Sequence, residues 1–490
     1  MTAQQSTTDT HNTIRSFSQI LIGGKFVDPS TSDVISVVSP VTEQEVATVP
    51  AAAPADVDAA VAAARKAFDE GPWPRMTPAE RAEALLRVRD ELAKRIPELV
   101  DAFSAELGAP RGLSEGFHNM ALRIWEDAAS LHERVDMEEP REWDGTTGTL
   151  VKEPVGVVGV IVPWNGPVPT ASLKFTPALA AGCTVVVKGA EEAPVGTHIL
   201  AEAVAAAELP EGVVSIMSGG RDTGRHLVAH RDVDAVSFTG STTAGREVMA
   251  SAAARIARVT LELGGKSAGI VADDIAIDRV VPQLVGAGVG HTGQVCAAIT
   301  RVLVPRARQD EIVEAMAAEF RNFTVGGPED PNSTLGPVIS ERQRDRVEDY
   351  IRIGIDEGAR LVTGGGRPAD RDRGWFVQPT LFADVRNDMR IAQEEIFGPV
   401  ICVIPFDSID EAVAIANDSE YGLSGAVFAE DDELAQQIAR RIRTGQVGIN
   451  GWDMCVLHNF GGFKQSGLGR EGGLDGMSEF LETKLIQKLG

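Results

Sequence analysis

The stretch VGVVGVIVPWNGPVPTASLKFTPALAAGCTVVVKG, Val155 to Gly189, reads as strand, helix, strand. Two short β-branched runs flank an alanine-rich segment long enough for a crossover helix, which is how consecutive strands come to lie parallel. The same alternation continues outward. A helix from Gly196, the run VVSIM, a short helix, AVSFTG, a helix from Thr242 and RVTLELGG complete one series. A second series opens at SAGIVAD and takes in ITRVLVP, helices at Asp310 to Phe320 and Glu341 to Ile355, VICVIPF and a helix from Ser408 to Asn417. Two such series predict doubly wound parallel sheets with a boundary near Gly264 and Gly265. Upstream, DVDAAVAAARKAF and TPAERAEALLRVRDELAKRI have helical period, the latter opened by a capping box of Thr77 and Glu80 with Pro78 at the first helical position, so the N-terminal third reads as mainly helix.

The totals agree with an enzyme-sized α/β chain. At 490 residues two or three domains are expected, and 43% apolar residues with 50 glycines and 26 prolines describe a globular, turn-rich protein. A formal charge of −25 argues against nucleic acid or an anionic membrane as partner. Cys183, Cys296, Cys402 and Cys455 are too few and too scattered to staple such a chain, which fits a reducing cytoplasm. The polar start, MTAQQSTTDTHNTIRSFSQ, has no apolar core of a signal peptide and reads as a frayed tail. The piece EPREWDGTTGTLVKEP has strand character with nothing to pair with locally, and with EFLETKLIQKL it reads as a protruding sheet for association, or as an edge hairpin.

Several glycine motifs need sorting by context. Gly288, Gly290 and Gly293 match G-x-G-x-x-G, but a helix precedes them and a strand follows, the reverse of a dinucleotide fingerprint. LELGGKS is no P-loop, because Thr260 stands where the first glycine is required. SFTGSTTAGREV is better placed: a strand, a turn at Gly240, then Ser241 and Thr242 capping a helix whose amino end suits a pyrophosphate. TVVVKGAEEAP sets Lys188 and Glu191 just past another strand end, where they could meet a ribose or form an ordinary loop ion pair.

Read together, LELGGKS and GQVC resemble the NAD(P)-dependent aldehyde dehydrogenase superfamily, and VPWNGP, VVVKGAEEAP, FTGSTTAGREV, EEIFGPV and FGGFKQSGLGRE match it in order from about Ile20 to the C-terminus. The resemblance implies a doubly wound Rossmann-like cofactor domain (residues 1–135 and 155–264), an α/β catalytic domain (265–460) and a small β oligomerisation element (136–154 and 470–490). It makes Cys296 the nucleophile, Glu262, 34 residues earlier, the base for hydrolysis, and Asn165 the oxyanion donor. Lys188 and Glu191 would hold the adenosine ribose, Trp164 and Ser241 the pyrophosphate, and Glu395 and Phe397 the nicotinamide ribose and ring. Ile161, Gly220, Gly224, Phe238, Gly240 and Gln343 would line the cofactor cleft. NAD is the expected cofactor, with NADP possible, and no metal is called for.

The chemistry of these residue types is consistent with that role. A thiolate adds to an aldehyde at neutral pH, and a donor to the resulting oxyanion is typically worth about 2.7 to 4 kcal/mol. The expected activity is NAD-dependent oxidation of an aldehyde to the acid through a Cys296 thiohemiacetal. A CoA-acylating dehydrogenase, a cysteine esterase or hydrolase, and a non-catalytic protein on the same fold are the alternatives. Gly166, Leu173, Val295, Ala297, Met454 and Phe460 fall near the family's aldehyde tunnel, and none is charged, which favours an apolar aliphatic, aromatic or terpenoid aldehyde with room beside Gly166. The chain departs from the family at His291, where asparagine is common, at Gly189, where proline follows the lysine, and at Asn459. His291 could be a second base or a structural residue at a helix end. A homodimer or homotetramer is expected by resemblance.

Overall fold

The computed structural model describes residues 14–454 and 456–488. Two largely parallel sheets carry the chain. In the first, the strands Arg258–Glu262, Ala235–Thr239, Val157–Ile161, Thr184–Gly189 and Val214–Ser218 lie side by side in that order and parallel. Strand order therefore reverses between Val157–Ile161 and Ala235–Thr239, a topological switch point of the kind that opens a crevice at the carboxyl ends of strands. Strand residues such as Val157, Val158, Val160, Val185 and Val187 are fully buried because helices cover both faces, which is why these runs are continuously apolar instead of alternating.

The second sheet runs Arg360–Thr363, Thr380–Ala383, Val400–Phe406, Ile299–Pro305, Ser267–Val271, Gly425–Phe428 and Gly448–Ile449, parallel except at the first pair. The expected boundary falls between Arg258–Glu262 in one sheet and Ser267–Val271 in the other. The chain later crosses back: Gly467–Leu468 pairs antiparallel with Leu261 and Glu262, and Met477 and Phe480 are buried in the core of the first sheet.

Several sequence expectations need correction. The N-terminal third carries the expected helices, Pro54–Asp69, Pro78–Ala93, Ile96–Leu107 and Arg111–Ser130, but strands that the sequence did not announce precede them: Ile20–Ile22 and Lys25–Val27 form the far edge of the first sheet, and Val34–Val38 pairs with Glu45–Pro50. Three-residue strands are too short to show a period, and Leu21 pairs with Ile216, far along the chain. Of the expected frayed tail, residues 1–13 lie outside the described residues. From Ile14 onward the chain is fixed: the Phe17 amide donates to the Thr48 carbonyl at 2.9 Å, and Arg15 pairs with Glu202 and Glu98. The piece expected to lack a local partner has one, because Glu138–Trp143 folds back on Thr146–Pro154 through Asp144 and Gly145, both at positive φ as a tight hairpin turn requires. Leu481–Lys488 adds a third strand to that hairpin. The capping box at Thr77 and Glu80 is present, with Glu80 accepting from the Thr77 amide at 2.7 Å. Among the described residues no helix is long and apolar enough to cross a membrane.

One buried cation ties the second sheet to its helices. Arg301, 2% exposed, has no carboxylate partner within the strand layer and donates instead to the carbonyls of Lys266, Ile415 and Ala416 and to Asn387 Oδ1, all at 2.9 to 3.0 Å. Ile415 and Ala416 end the helix Ile409–Asn417, where a positive charge meets the negative pole of the helix and unfilled carbonyls at once. Arg301→Leu strands these acceptors in the interior and is expected to lower stability by roughly 3 kcal/mol, read as a drop in the denaturant midpoint.

Candidate active site

The two sheets meet at opposite ends. Ile161, Lys188, Thr239 and Glu262 stand at the carboxyl ends of first-sheet strands, whereas Cys296 lies just before Ile299–Pro305, at the amino end of a second-sheet strand. The linker of LELGGKS joins them. A Cβ on Gly265 would stand 2.4 Å from the Cys296 carbonyl oxygen, so glycine is required for the thiol-bearing segment to sit against this linker. Gly293 has φ +68°, and its Cα faces the Gly398 carbonyl so closely that a Cβ there would clash at 2.1 Å.

Three cavities converge here. One of about 400 Å³ is lined by Trp164, Asn165, Gly240, Ser241, Glu262, Cys296, Gln343, Glu395 and Phe397. A second, of about 540 Å³, continues from Ser241 along Ile161, Lys188, Gly220, Gly224 and Phe238. The third shares Asn165, Glu262 and Cys296 with the first and is walled by Phe117, Met120, Ile124, Gly166, Leu173, Val295, Met454, Val456 and Phe460. Of the residues implied by resemblance for catalysis and cofactor, only Glu191 lines none of these; it is exposed, with its carboxylate beside Gly220. Lys188 proves to be within its strand, 9% exposed, with its ammonium pKa lowered by burial. Ala297, expected in the tunnel, is fully buried behind it. The room expected beside Gly166 is taken by Phe117, whose ring would stand 3.3 Å from a Cβ there. Gly189 does not loosen its loop, being paired in register with Ser218.

Each functional side chain is held by named contacts. Ser241 caps the helix Thr242–Ala253 by accepting from the Ala244 amide, leaving the positive end of that helix facing the cleft. Phe397 sits at φ +59°, a strained conformation for a bulky residue, and its ring meets Trp164 edge-on at 5.4 Å. Gln343 stabilises that turn by donating to the Ile396 and Phe397 carbonyls, while Arg346 donates to the Glu395 carbonyl. Glu395 in turn accepts from the Gly265 amide at 3.1 Å.

The electrostatics are those of too many carboxyl groups in one dry cleft. Glu262 is 2% exposed and neither of its oxygens has a hydrogen-bond partner among the described residues. Burial raises its pKa well above the usual carboxylate range, the Glu471 charge raises it further, and Lys174 opposes. Burial pushes Glu395 up to about 7. The Cys296 thiol is raised by burial and then by the Glu262 and Glu395 charges, so the group holds its proton. Cys183 and Cys402 are pushed up to about 12 and about 11 by complete burial and have no access to the cleft.

Sequence reasoning missed the ion pair beneath Glu262. Lys174, on the helix Pro167–Ala181, is fully buried and donates to Glu471 and, at 3.3 Å, to Ser237 Oγ. A reciprocal backbone pair between Glu471 and Phe460, 2.7 Å each way, holds the carboxylate in place. The tunnel wall on the helix Arg111–Ser130 was missed too.

A two-sheet α/β architecture with a thiol and a buried carboxyl at the meeting point of a long polar cleft and an apolar tunnel defines the class. The chain belongs to the aldehyde dehydrogenase family, whose sequence model matches residues 26–486, and it is an aldehyde dehydrogenase. It is 45% identical over 474 residues to a geranial dehydrogenase of Castellaniella defragrans, covering 96% of this chain and 98% of that one. It superposes with a TM-score of 0.95 on a Mycobacterium tuberculosis aldehyde dehydrogenase complexed with NAD+, at 47% identity and with 96% and 98% of the two chains covered. A Pseudomonas syringae aldehyde dehydrogenase C, a cysteine-to-alanine mutant complexed with NAD+ and octanal, gives 0.92 at 41% identity, with 98% and 97% covered.

The raised pKa of Glu262 has a stability consequence. Between the usual carboxylate range and its raised value the folded chain holds a proton that the unfolded chain has released, so stability falls as pH rises through that window. Glu262→Gln removes this loss. Its melting temperature is expected to exceed that of the native chain by a margin that grows from acid to neutral pH in parallel thermal scans.

Proposed function

We propose that this chain oxidises an apolar aldehyde to its carboxylic acid with NAD, using Cys296 as nucleophile, Asn165 as oxyanion donor and Glu262 as base. The observation that carries the reading is the convergence of these three residues where the apolar tunnel opens into the polar cleft. The cleft fits a dinucleotide: it has a helix amino end and Ser241 for the pyrophosphate, apolar walls at Ile161 and Phe238 for a flat base, and Glu191 near its rim for a ribose diol. The Glu191 charge disfavours the 2′-phosphate of NADP. Residues 1–135 and 155–264 would form the cofactor domain and 265–460 the catalytic one.

The Cys296 thiol passes its proton to water in the cleft and out to solvent, the sulfur adds to the aldehyde carbon, and the carbonyl oxygen takes the charge, stabilised by the Asn165 amide and the Cys296 backbone N–H. NAD, when bound, supplies the hydride acceptor that turns the thiohemiacetal into a thioester. Glu262 then takes a proton from water, hydroxide adds to the thioester carbon, and the C–S bond breaks to release the acid and the thiolate. A carboxyl raised toward the working pH suits this task. The same feature speaks against a CoA-acylating enzyme, which needs no hydrolytic base.

The tunnel walls explain the substrate class. Among the described residues the tunnel lining carries no acidic or basic side chain besides Glu262 and Glu471, the latter paired with Lys174, and the relatives that act on geranial or bind octanal are consistent with long apolar aldehydes. The hairpin Glu138–Pro154 with Leu481–Lys488 would serve association into a dimer or tetramer, given exposed Trp143, Leu485 and Ile486. A reducing cytoplasm suits its free cysteines.

Reduced-nicotinamide absorbance across an aldehyde panel tests the reading. Octanal or geranial is expected to exceed a charged semialdehyde by at least about ten-fold in kcat/KM, and Cys296→Ala to form no NADH; the reverse ranking would remove the substrate assignment. Glu262→Gln is expected to keep a first-turnover burst of NADH while steady-state kcat falls on the order of 100-fold. An equal loss in both phases would assign Glu262 to an earlier step.

A further inference from the structure

His291 has no place in the mechanism above, yet its surroundings are unusually constrained. His291, Thr292 and Gly293 take left-handed backbone conformations in succession, with φ of +52°, +55° and +68°. Two of these residues carry side chains, and such backbone persists only where its surroundings over-determine it. Three hydrogen bonds tie the turn down: Thr292 Oγ1 donates to the Gly336 carbonyl at 2.9 Å, Gln294 Oε1 accepts from the Ile339 amide at 2.9 Å, and His291 Nε2 meets the Asn165 carbonyl at 2.9 Å.

That last contact fixes the ring. A carbonyl can only accept, so Nε2 carries the hydrogen. The imidazole is 7% exposed and packs against Phe103, stacked at 5.7 Å, and Phe117 at 5.3 Å. It lines neither the thiol cleft nor the tunnel, which removes the second-base reading. Burial pushes its pKa down to about 4, so the ring stays neutral at working pH.

Asn165 is therefore gripped at both ends. Its side-chain Nδ2 donates one hydrogen to the Gln294 carbonyl at 2.9 Å, leaving the other for the cleft, while its backbone carbonyl receives the His291 N–H. Both tethers come from the strained turn that leads into Cys296. We infer that His291 is a positioning residue that sets the Asn165 amide against the developing oxyanion by cross-tying the Asn165 loop to the turn before the nucleophile. The inference rests on the proposed role of Asn165.

The test measures octanal oxidation by the full chain with NAD. His291→Leu keeps the bulk and removes the donor, and His291→Gln returns an N–H at the same number of bonds from the backbone. His291→Leu is expected to lower kcat/KM for octanal and the single-turnover rate on the order of 10- to 100-fold, with KM for NAD within about two-fold of native. His291→Gln is expected to recover to within about three-fold. Because His291 acts through Asn165, the double variant with Asn165→Ala should be no slower than Asn165→Ala alone. Should the leucine variant fail to fold, His291→Ala, which removes both the ring and the donor, takes its place in the cycle. Additive losses, or a lowered melting temperature with native single-turnover rates, would overturn the inference while leaving Asn165 its role. A native rate in Asn165→Ala would overturn both.

Discussion

The close approach of Gly265 to the Cys296 carbonyl is the contact on which the rest depends. A side chain at that position would meet the carbonyl oxygen at 2.4 Å, so only the bare backbone lets the nucleophile turn dock on the linker between the sheets. The same linker begins with Glu262 and offers the Gly265 amide to Glu395. A single stretch of extended backbone thus sets the separation between the Cys296 thiol and the Glu262 carboxyl and anchors the Glu395 carboxylate. Loss of that packing would move three groups at once, because all three adjoin the same linker.

Burial does the remaining work, and it acts in two directions. Placing Glu262, Glu395 and Glu471 in one cleft costs stability, since like charges in a medium of low dielectric resist joint ionisation. It also yields a carboxyl, that of Glu262, which keeps its proton well above the usual carboxylate range. Lys174 limits the cost: a buried cation with a carboxylate on one side and the Ser237 hydroxyl on the other offsets part of the negative charge beneath Glu262.

The parallel sheets were legible because buried strands are continuously β-branched and their crossovers are helical in period. The edge strands Ile20–Ile22 and Lys25–Val27 were not, because three residues carry no period and the first of them pairs far along the chain with Val214–Ser218. In the site, Cys296 and Glu262 stood out through motifs that need glycine for close backbone approach. Lys174 and Glu471 did not, being 297 residues apart, one inside an alanine-rich helix and the other in a glycine-rich tail. Phe117, Met120 and Ile124 recur at helical spacing, a pattern that marks any buried face and gives no hint that this one borders a tunnel. The left-handed turn at His291 was invisible for a related reason: β-branched threonine disfavours that backbone and histidine adopts it only occasionally, so tertiary contacts impose it.

The return of the chain to the first sheet ties completion of the site to the order of synthesis. Glu471, the strand Gly467–Leu468 and the buried Met477 and Phe480 all come from the last part of the described chain, yet they finish a sheet and an ion pair begun near Lys174 and Glu262. On the ribosome, Lys174 and the edge of Arg258–Glu262 must wait for most of the second sheet to be made before their partners emerge. The nascent chain therefore carries Cys296 and Glu262 well before Glu471 arrives to balance the charge of Lys174.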